Sequence, residues 1–374
     1  MNPSTAGRQI PVVVLAGFLG SGKTTLLNHL LRRRAGNRVA VIVNDFGAVE
    51  IDAMTVAGQV GSTVSIGNGC LCCAVDASEL DGYLERLTRP AARIDIIVIE
   101  ASGLAEPQEL VRMILAGDNP RTVYGGLVEV VDAAEFDATR ERHPETDRHL
   151  AIADLVVLNK TDRVTPAEHE RVLGVVAELG PDAAVVSASY GRIDPGLLFD
   201  PATRPAEDEK VRQLSFEDLR ADEGEDEGRG EGHAHAHHPH TGYESLSFDE
   251  PAAMDPRRLM AFLDSRPEGL YRVKGFVDFG AADPDNRYAV HAVGRFLRFY
   301  PEPWPRGAER RTQLVLIGSG IDRDALDKEL RVCAVTGADS DLGELGELGD
   351  EAAMWGVLRY VRSGPAAEEA TDPV

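Results

Sequence analysis

Along the first 190 residues, short β-branched runs alternate with stretches in which apolar positions recur every three or four residues. The runs at 11–16, 38–44, 94–100, 126–131, 155–159 and 183–187 predict strands. The periodic stretches at 23–33, 77–87, 106–116 and 166–179 predict helices, the last opened by Thr165-Pro166, a capping residue followed by proline at the first helical position. Strands that take turns with helices in this way predict an α/β fold, a doubly wound and mostly parallel sheet covered by helices on both faces.

The pattern is lost between about 201 and 241, where the chain becomes acidic, glycine-rich and finally histidine-rich. A segment with so little to bury predicts a flexible linker. Periodicity then returns: 243–248, 271–279, 288–300 and 313–317 read as strands, and 256–265 and 323–332 as helices, which predicts a smaller α+β domain. Past 335 a Gly-rich acidic tail carries one helical stretch at 351–361. The expected organisation is a first domain over 1–205, a linker over 206–242, a second domain over 243–335 and a tail over 336–374.

Composition narrows the chemistry. A net charge of −23 over 374 residues repels phosphate backbones, so nucleic acid is not an expected partner. No apolar run is long enough to cross a bilayer, and the run at 10–18 follows a single Arg and is broken by glycines, unlike a secretory signal. The expected location is cytoplasmic, where thiols stay reduced and a tight cysteine cluster points to metal or catalysis rather than a disulfide.

Gly17-Phe18-Leu19-Gly20-Ser21-Gly22-Lys23-Thr24-Thr25 matches G-x-x-x-x-G-K-[ST] between a predicted strand and a predicted helix. Such a loop wraps phosphates with backbone N–H groups; Lys23 is expected at the β/γ-phosphates and the Thr24 hydroxyl on Mg²⁺. Glu100 ends an apolar strand where P-loop enzymes place an acid near that metal, with capping of the next segment as its alternative role. Lys23, Thr24 and Glu100 form the expected catalytic set, and Gly103 is placed to offer an N–H to a γ-phosphate. Asn159-Lys160-Thr161-Asp162 follows another strand. A carboxylate only accepts hydrogen bonds, so Asp162 suits the adjacent N1–H and N2–H₂ donors of guanine and predicts GTP over ATP. Lys160 is expected along the purine face, and Ser187-Ala188 near guanine O6. No residue announces itself as an arginine finger, which predicts slow intrinsic turnover.

Three of the four cysteines, Cys70, Cys72 and Cys73, fall within four positions after Gly67 and Gly69. Residues i and i+3 of a strand face opposite ways, so converging sulfurs require a turn, which the glycines permit. Three thiolates suit Zn²⁺ or another thiophilic ion such as Cu(I). Competing roles are a buried reduced cluster, a Cys70/Cys73 redox pair, and an iron–sulfur set completed by Cys333. His233, His235, His237, His238 and His240 form a tract able to collect Zn²⁺, Ni²⁺, Co²⁺ or Cu²⁺ loosely, or a low-complexity drift without function. His29, His143, His149, His169 and His291 are scattered and expected at the surface or satisfied in the core.

The guanine-type P-loop, Glu100, the Gly69-Cys70-Leu71-Cys72-Cys73 segment between them and the His-rich linker together resemble the CobW-like family of metal-handling GTPases. Leu270-Tyr-Arg-Val-Lys-Gly-Phe-Val-Asp278 and the segment 314–326 are similar to that family's C-terminal domain, so the resemblance covers roughly 10–335. It implies GTP hydrolysis coupled to delivery of a metal to a metalloprotein client: zinc in several branches, cobalt or iron in others. A cobalt- or iron-directed accessory GTPase for cobalamin or nitrile hydratase assembly, and a His-rich zinc buffer using GTP structurally, are the alternatives. Two segments depart from the family pattern: Asn44-Asp45-Phe46-Gly47-Ala48 replaces the usual Asn-Glu-Phe-Gly-Glu, and Ala74-Val75-Asp76 follows the cysteines. Asp45, Glu50, water or the client remain the candidates for the fourth metal ligand. Neither client nor oligomeric state is specified.

Overall fold

The computed structural model describes residues 9–33, 37–43, 63–65, 77–92, 94–103, 106–200, 243–265, 267–335 and 348–361. β1 (Ile10–Ala16) leads to α1 (Lys23–Arg32), β2 (Val39–Val43), β3 (Thr63–Ser65), α2 (Ala77–Leu87), β4 (Ile96–Glu100) and α3 (Pro107–Ala116). There follow β5 (Thr122–Asp132), α4 (Phe136–Arg142), α5 (Glu145–Ile152), β6 (Leu155–Asn159), α6 (Pro166–Leu179) and β7 (Ala184–Ser187). The seven strands form one sheet in the order β3-β2-β4-β1-β5-β6-β7, with every pairing parallel.

Parallel neighbours need crossovers, and the crossover helices bury both faces, which is why β1, β4 and β6 are near-continuous apolar runs. Along β1, Val13 and Leu15 pack with Leu26 and Leu27 of α1, whereas Val12, Val14 and Ala16 pack with Leu80, Leu84 and Leu110 of α2 and α3. β1 lies between β4 and β5, and the segments that leave the carboxyl ends of β1, β4 and β6 emerge at one edge of the sheet. Open α/β sheets place their ligands at that edge.

The second unit comprises β8 (Glu244–Glu250), α7 (Pro256–Ser265), β9 (Leu270–Val277), β10 (Asn286–Val293), β11 (Phe296–Pro303), β12 (Thr312–Gly318), α8 (Arg323–Val332) and α9 (Leu348–Leu358). Its antiparallel sheet has the order β11-β10-β9-β12-β8. Leu259, Phe262, Leu326, Leu330 and Val357 from the three helices cover one face. Arg272, Lys274, His291, Val293 and Ile317 share the other by register, and Val293 and Ile317, joined by Tyr271, enter the core of the first unit. Polar ties follow the same seam: Arg272 and Lys274 both donate to Asp200, at 2.5 and 2.7 Å, and Ser319 Oγ donates to Val185 O at 2.6 Å. His291 is a satisfied core residue: burial drives its imidazole down to about 3, and the neutral ring donates from Nε2 to Tyr124 O at 2.9 Å.

Several elements differ from the pattern reading. The expected single strand 288–300 is a hairpin, β10 and β11, turned at Gly294-Arg295 with Gly294 at φ +50. β5 begins four residues earlier than 126, because Gly125-Gly126 breaks the apolar pattern without ending the strand. A β-carbon on Gly126 would stand 2.8 Å from Val293 Cγ1 and 3.0 Å from the Tyr271 hydroxyl, so glycine is what lets the second unit approach there. The short α4 and α5 were not anticipated, since each buries only one or two side chains. The tail helix spans Leu348–Leu358 rather than 351–361. Among the described residues, no helix is long and apolar enough to cross a membrane.

Candidate nucleotide and metal site

The loop from Gly17 to Gly22 turns β1 into α1, and Gly22 caps the helix in the left-handed region at φ +105. A β-carbon on Gly22 would lie 2.3 Å from Asn159 Nδ2, so the loop can close only over glycine. Asn159, buried at the end of β6, uses both ends of its amide: Nδ2 donates to Ser21 O at 2.8 Å and Oδ1 accepts from Gly191 N–H at 2.9 Å. It thereby ties the phosphate loop to the segment after β7.

Lys23 is buried and folds back on its own loop, donating from Nζ to Gly17 O at 2.8 Å and Phe18 O at 3.3 Å. The Thr24 hydroxyl donates to Glu100 Oε1 at 2.9 Å, which brings together the first turn of α1 and the end of β4. Gly103 lies against the loop from the other side, the position of its missing β-carbon being 2.8 Å from Leu19 N. Thr25 is exposed. Hard oxygen donors on Thr24 and Glu100, set at the amino end of a helix, are the donor set that Mg²⁺ takes.

At the other end, Lys160 adopts φ +59 and donates from Nζ to Gly20 O at 2.7 Å and to Asp132 Oδ2 at 2.6 Å. Asp162 is exposed in the short 3₁₀ turn Thr161–Arg163. Thr161 Oγ1 donates to Ala188 O at 3.0 Å and lies 3.0 Å from Ser189 Oγ. The Ala188 N–H is already donated to Leu158 O at 2.8 Å, and Ser187 Oγ pairs with His169 Nε2 at 2.7 Å. The Ala188 N–H is therefore engaged within the fold.

Cys70, Cys72, Cys73, the five histidines from His233 to His240, and Asp45 and Glu50 lie outside the described residues. Cys333 sits at the end of α8 in the second unit, its Sγ 3.3 Å from Glu329 O. Burial pushes its thiol up to about 11, which keeps it protonated in the absence of a metal.

Glu129 escaped the sequence reading. It is paired with Ala16, 2% exposed, and its Oε2 has no hydrogen-bond partner among the described residues. Burial raises its carboxyl to about 8 against the opposing pull of Lys23. It borders a cavity of about 290 Å³ between the phosphate loop and α4, shared with Phe18, Phe136, Arg142 and Lys160. The available signal was a lone acid inside the apolar run Leu127-Val128-Glu129-Val130-Val131, one strand from the phosphate loop.

A glycine-rich phosphate loop after the central strand, an acid at the end of the adjacent strand, and an Asn-Lys-x-Asp segment tied back to the loop define a P-loop GTPase. Residues 11–187 match the family described as CobW/HypB/UreG, nucleotide-binding domain, and residues 243–334 match the cobalamin synthesis protein cobW C-terminal domain. The chain belongs to the CobW family. It is 32% identical to a protein of Pseudomonas aeruginosa named zinc chaperone CobW, over 86% of this chain and 91% of that one. A zinc chaperone CobW of a Sinorhizobium species is 29% identical over 83% of this chain and 93% of that one. The solved Zn(II)-bound YjiA GTPase of Escherichia coli is 22% identical, with a TM-score of 0.41, covering 88% of this chain and 100% of that chain.

Proposed function

We propose that this GTPase is a zinc chaperone that carries its ion on Cys70, Cys72 and Cys73 and releases it to a metalloprotein client as GTP is turned over. The nucleotide half of the reading is carried by the Asn159 tie, which couples the loop suited to phosphates to the loop suited to guanine. The cargo half is supported by the C-x-C-C spacing and by relatives named zinc chaperones over nearly their whole length. The His tract from His233 to His240 collects metal loosely.

In this reading phosphate oxygens displace the carbonyls of Gly17 and Phe18 from Lys23, since full negative charges outcompete neutral acceptors. Thr24 and Glu100 would hold Mg²⁺, which would supply charge neutralisation at the phosphates. Asp162 accepts from guanine N1–H and N2–H₂, and the Ser189 N–H, next along the chain from the engaged Ala188, donates to O6. Gly103 reports the γ-phosphate through its N–H, and the cysteine segment lies in sequence between Asp45–Gly47 and Gly103. Loss of γ-phosphate contacts on hydrolysis then alters the cargo site. Calorimetric titration of the full chain tests the nucleotide assignment: GTP binds at least about tenfold tighter than ATP, and equal affinities overturn it.

A further inference from the structure

Among the described residues, two non-glycine residues take positive φ, Lys160 at +59 and Tyr190 at +57. Left-handed backbone is disfavoured for a residue with a β-carbon and persists only where its surroundings impose it, most often at functional sites. Lys160 belongs to the Asn-Lys-x-Asp motif. Tyr190 belongs to no motif, yet both its neighbours are fastened to that one: Ser189 Oγ meets Thr161 Oγ1 at 3.0 Å, and Gly191 N–H donates to Asn159 Oδ1 at 2.9 Å. Gly191 is also pressed on α1, its absent β-carbon 2.7 Å from Leu26 N. The chain is thus pinned on either side of Tyr190 and the ring is thrust outward, 65% exposed. Its one ring contact among the described residues is the Arg192 guanidinium, 5.9 Å from the centroid, at the outer reach of a cation–π contact. A large ring held in a costly conformation, with little of the protein against it, lacks a packing reason to be there.

We infer that Tyr190 is a base-stacking residue, its ring laid against the guanine that Asp162 reads, with the Lys160 stem on the purine's other side. The inference rests on the guanine assignment and adds a contact that strengthens affinity without reading the base's exocyclic groups. Stacking of a base on an aromatic side chain contributes about 1–3 kcal/mol, roughly 5- to 150-fold in affinity, and a partly exposed stack belongs near the low end.

Tyr190→Gly and Tyr190→Asn both remove the ring, and both residues accept the left-handed backbone, so neither threatens the fold. Expected are a melting temperature no lower than wild type and a roughly tenfold weaker GTP affinity, with KM raised and kcat unchanged. Inosine triphosphate should lose by the same factor, because stacking ignores the 2-amino group. Tyr190→Phe should retain wild-type affinity. If the wild type prefers GTP to ATP and the ring-less variants bind GTP as tightly as it does, the stacking role is overturned while the guanine assignment stands. If the wild type shows no such preference, the assignment itself fails. Loss of affinity in Tyr190→Phe equal to that in Tyr190→Gly also overturns the inference, since it assigns the effect to the hydroxyl.

Discussion

Replacing Glu129 with Gln should stabilise the nucleotide-free protein, by an amount that grows with pH. Unfolded, this carboxyl titrates near 4.5; in the native state it titrates near 8. Between those values only the native state holds the proton, so the native state binds more protons than the unfolded one and stability falls as pH rises. Below the window both states are protonated, and above it both are ionised, so the slope vanishes at either end. Each unit is worth about 1.4 kcal/mol, and at pH 7 the proton uptake costs about 3 kcal/mol. Gln keeps the shape and carries no proton to take up. Urea unfolding of both proteins from pH 5.5 to 8.5 measures the difference, and histidines that titrate in this range cancel between them. The gap should widen by about 1.4 kcal/mol per pH unit to near pH 8 and then level. A gap independent of pH would show that Glu129 is not the buried, unpaired acid described above.

Three further outcomes are expected. Asp162→Asn presents an amide to guanine's donors, and competition titration should show preference shifting toward xanthosine nucleotides; retained GTP preference would count against Asp162 as the base reader. Lys23→Ala should abolish phosphate release in a GTP turnover assay while leaving zinc binding by the nucleotide-free protein within about twofold, because Nζ donates to Gly17 O and Phe18 O of the phosphate loop. Asn159→Ala orphans Ser21 O and the Gly191 N–H, each costing about 1–3 kcal/mol, so chemical denaturation should register a loss of about 2–6 kcal/mol together with weaker nucleotide binding.

Sequence reading was most informative where one periodicity ran unbroken. β6 and α6 have the bounds that pattern and capping residues announce, since Leu155–Leu158 is continuously apolar and Thr165 forms a capping box with Glu168. Reading faltered where tertiary contact set the structure. The Gly294 turn is hidden inside an apolar alternation that continues on both sides, so two strands looked like one. Gly125-Gly126 looked like a strand boundary, although the glycines serve the approach of Tyr271 and Val293 from another unit. At the candidate site, Thr24 meets Glu100, and Asn159 reaches Ser21 and Gly191, contacts among residues that local spacing singles out. Glu129 and the strain at Tyr190 were not legible, because neither burial without a partner nor a positive φ is written in residue type.

The central claim is that GTP and zinc occupy communicating sites on this chain, and a zinc titration against a competing chelator tests it most directly. The full-length protein would be measured nucleotide-free, with GDP, and with a non-hydrolysable GTP analogue, beside Cys72→Ser. If the sites are linked, GTP changes zinc affinity by the factor by which zinc changes GTP affinity, and a useful switch needs about 1–3 kcal/mol, roughly 5- to 150-fold. The account predicts one tight zinc per chain, tightest in the GTP-like state, weaker with GDP, and lost in Cys72→Ser, where a serine hydroxyl replaces a thiolate. Identical affinities in all three nucleotide states, with normal zinc binding by Cys72→Ser, would contradict it.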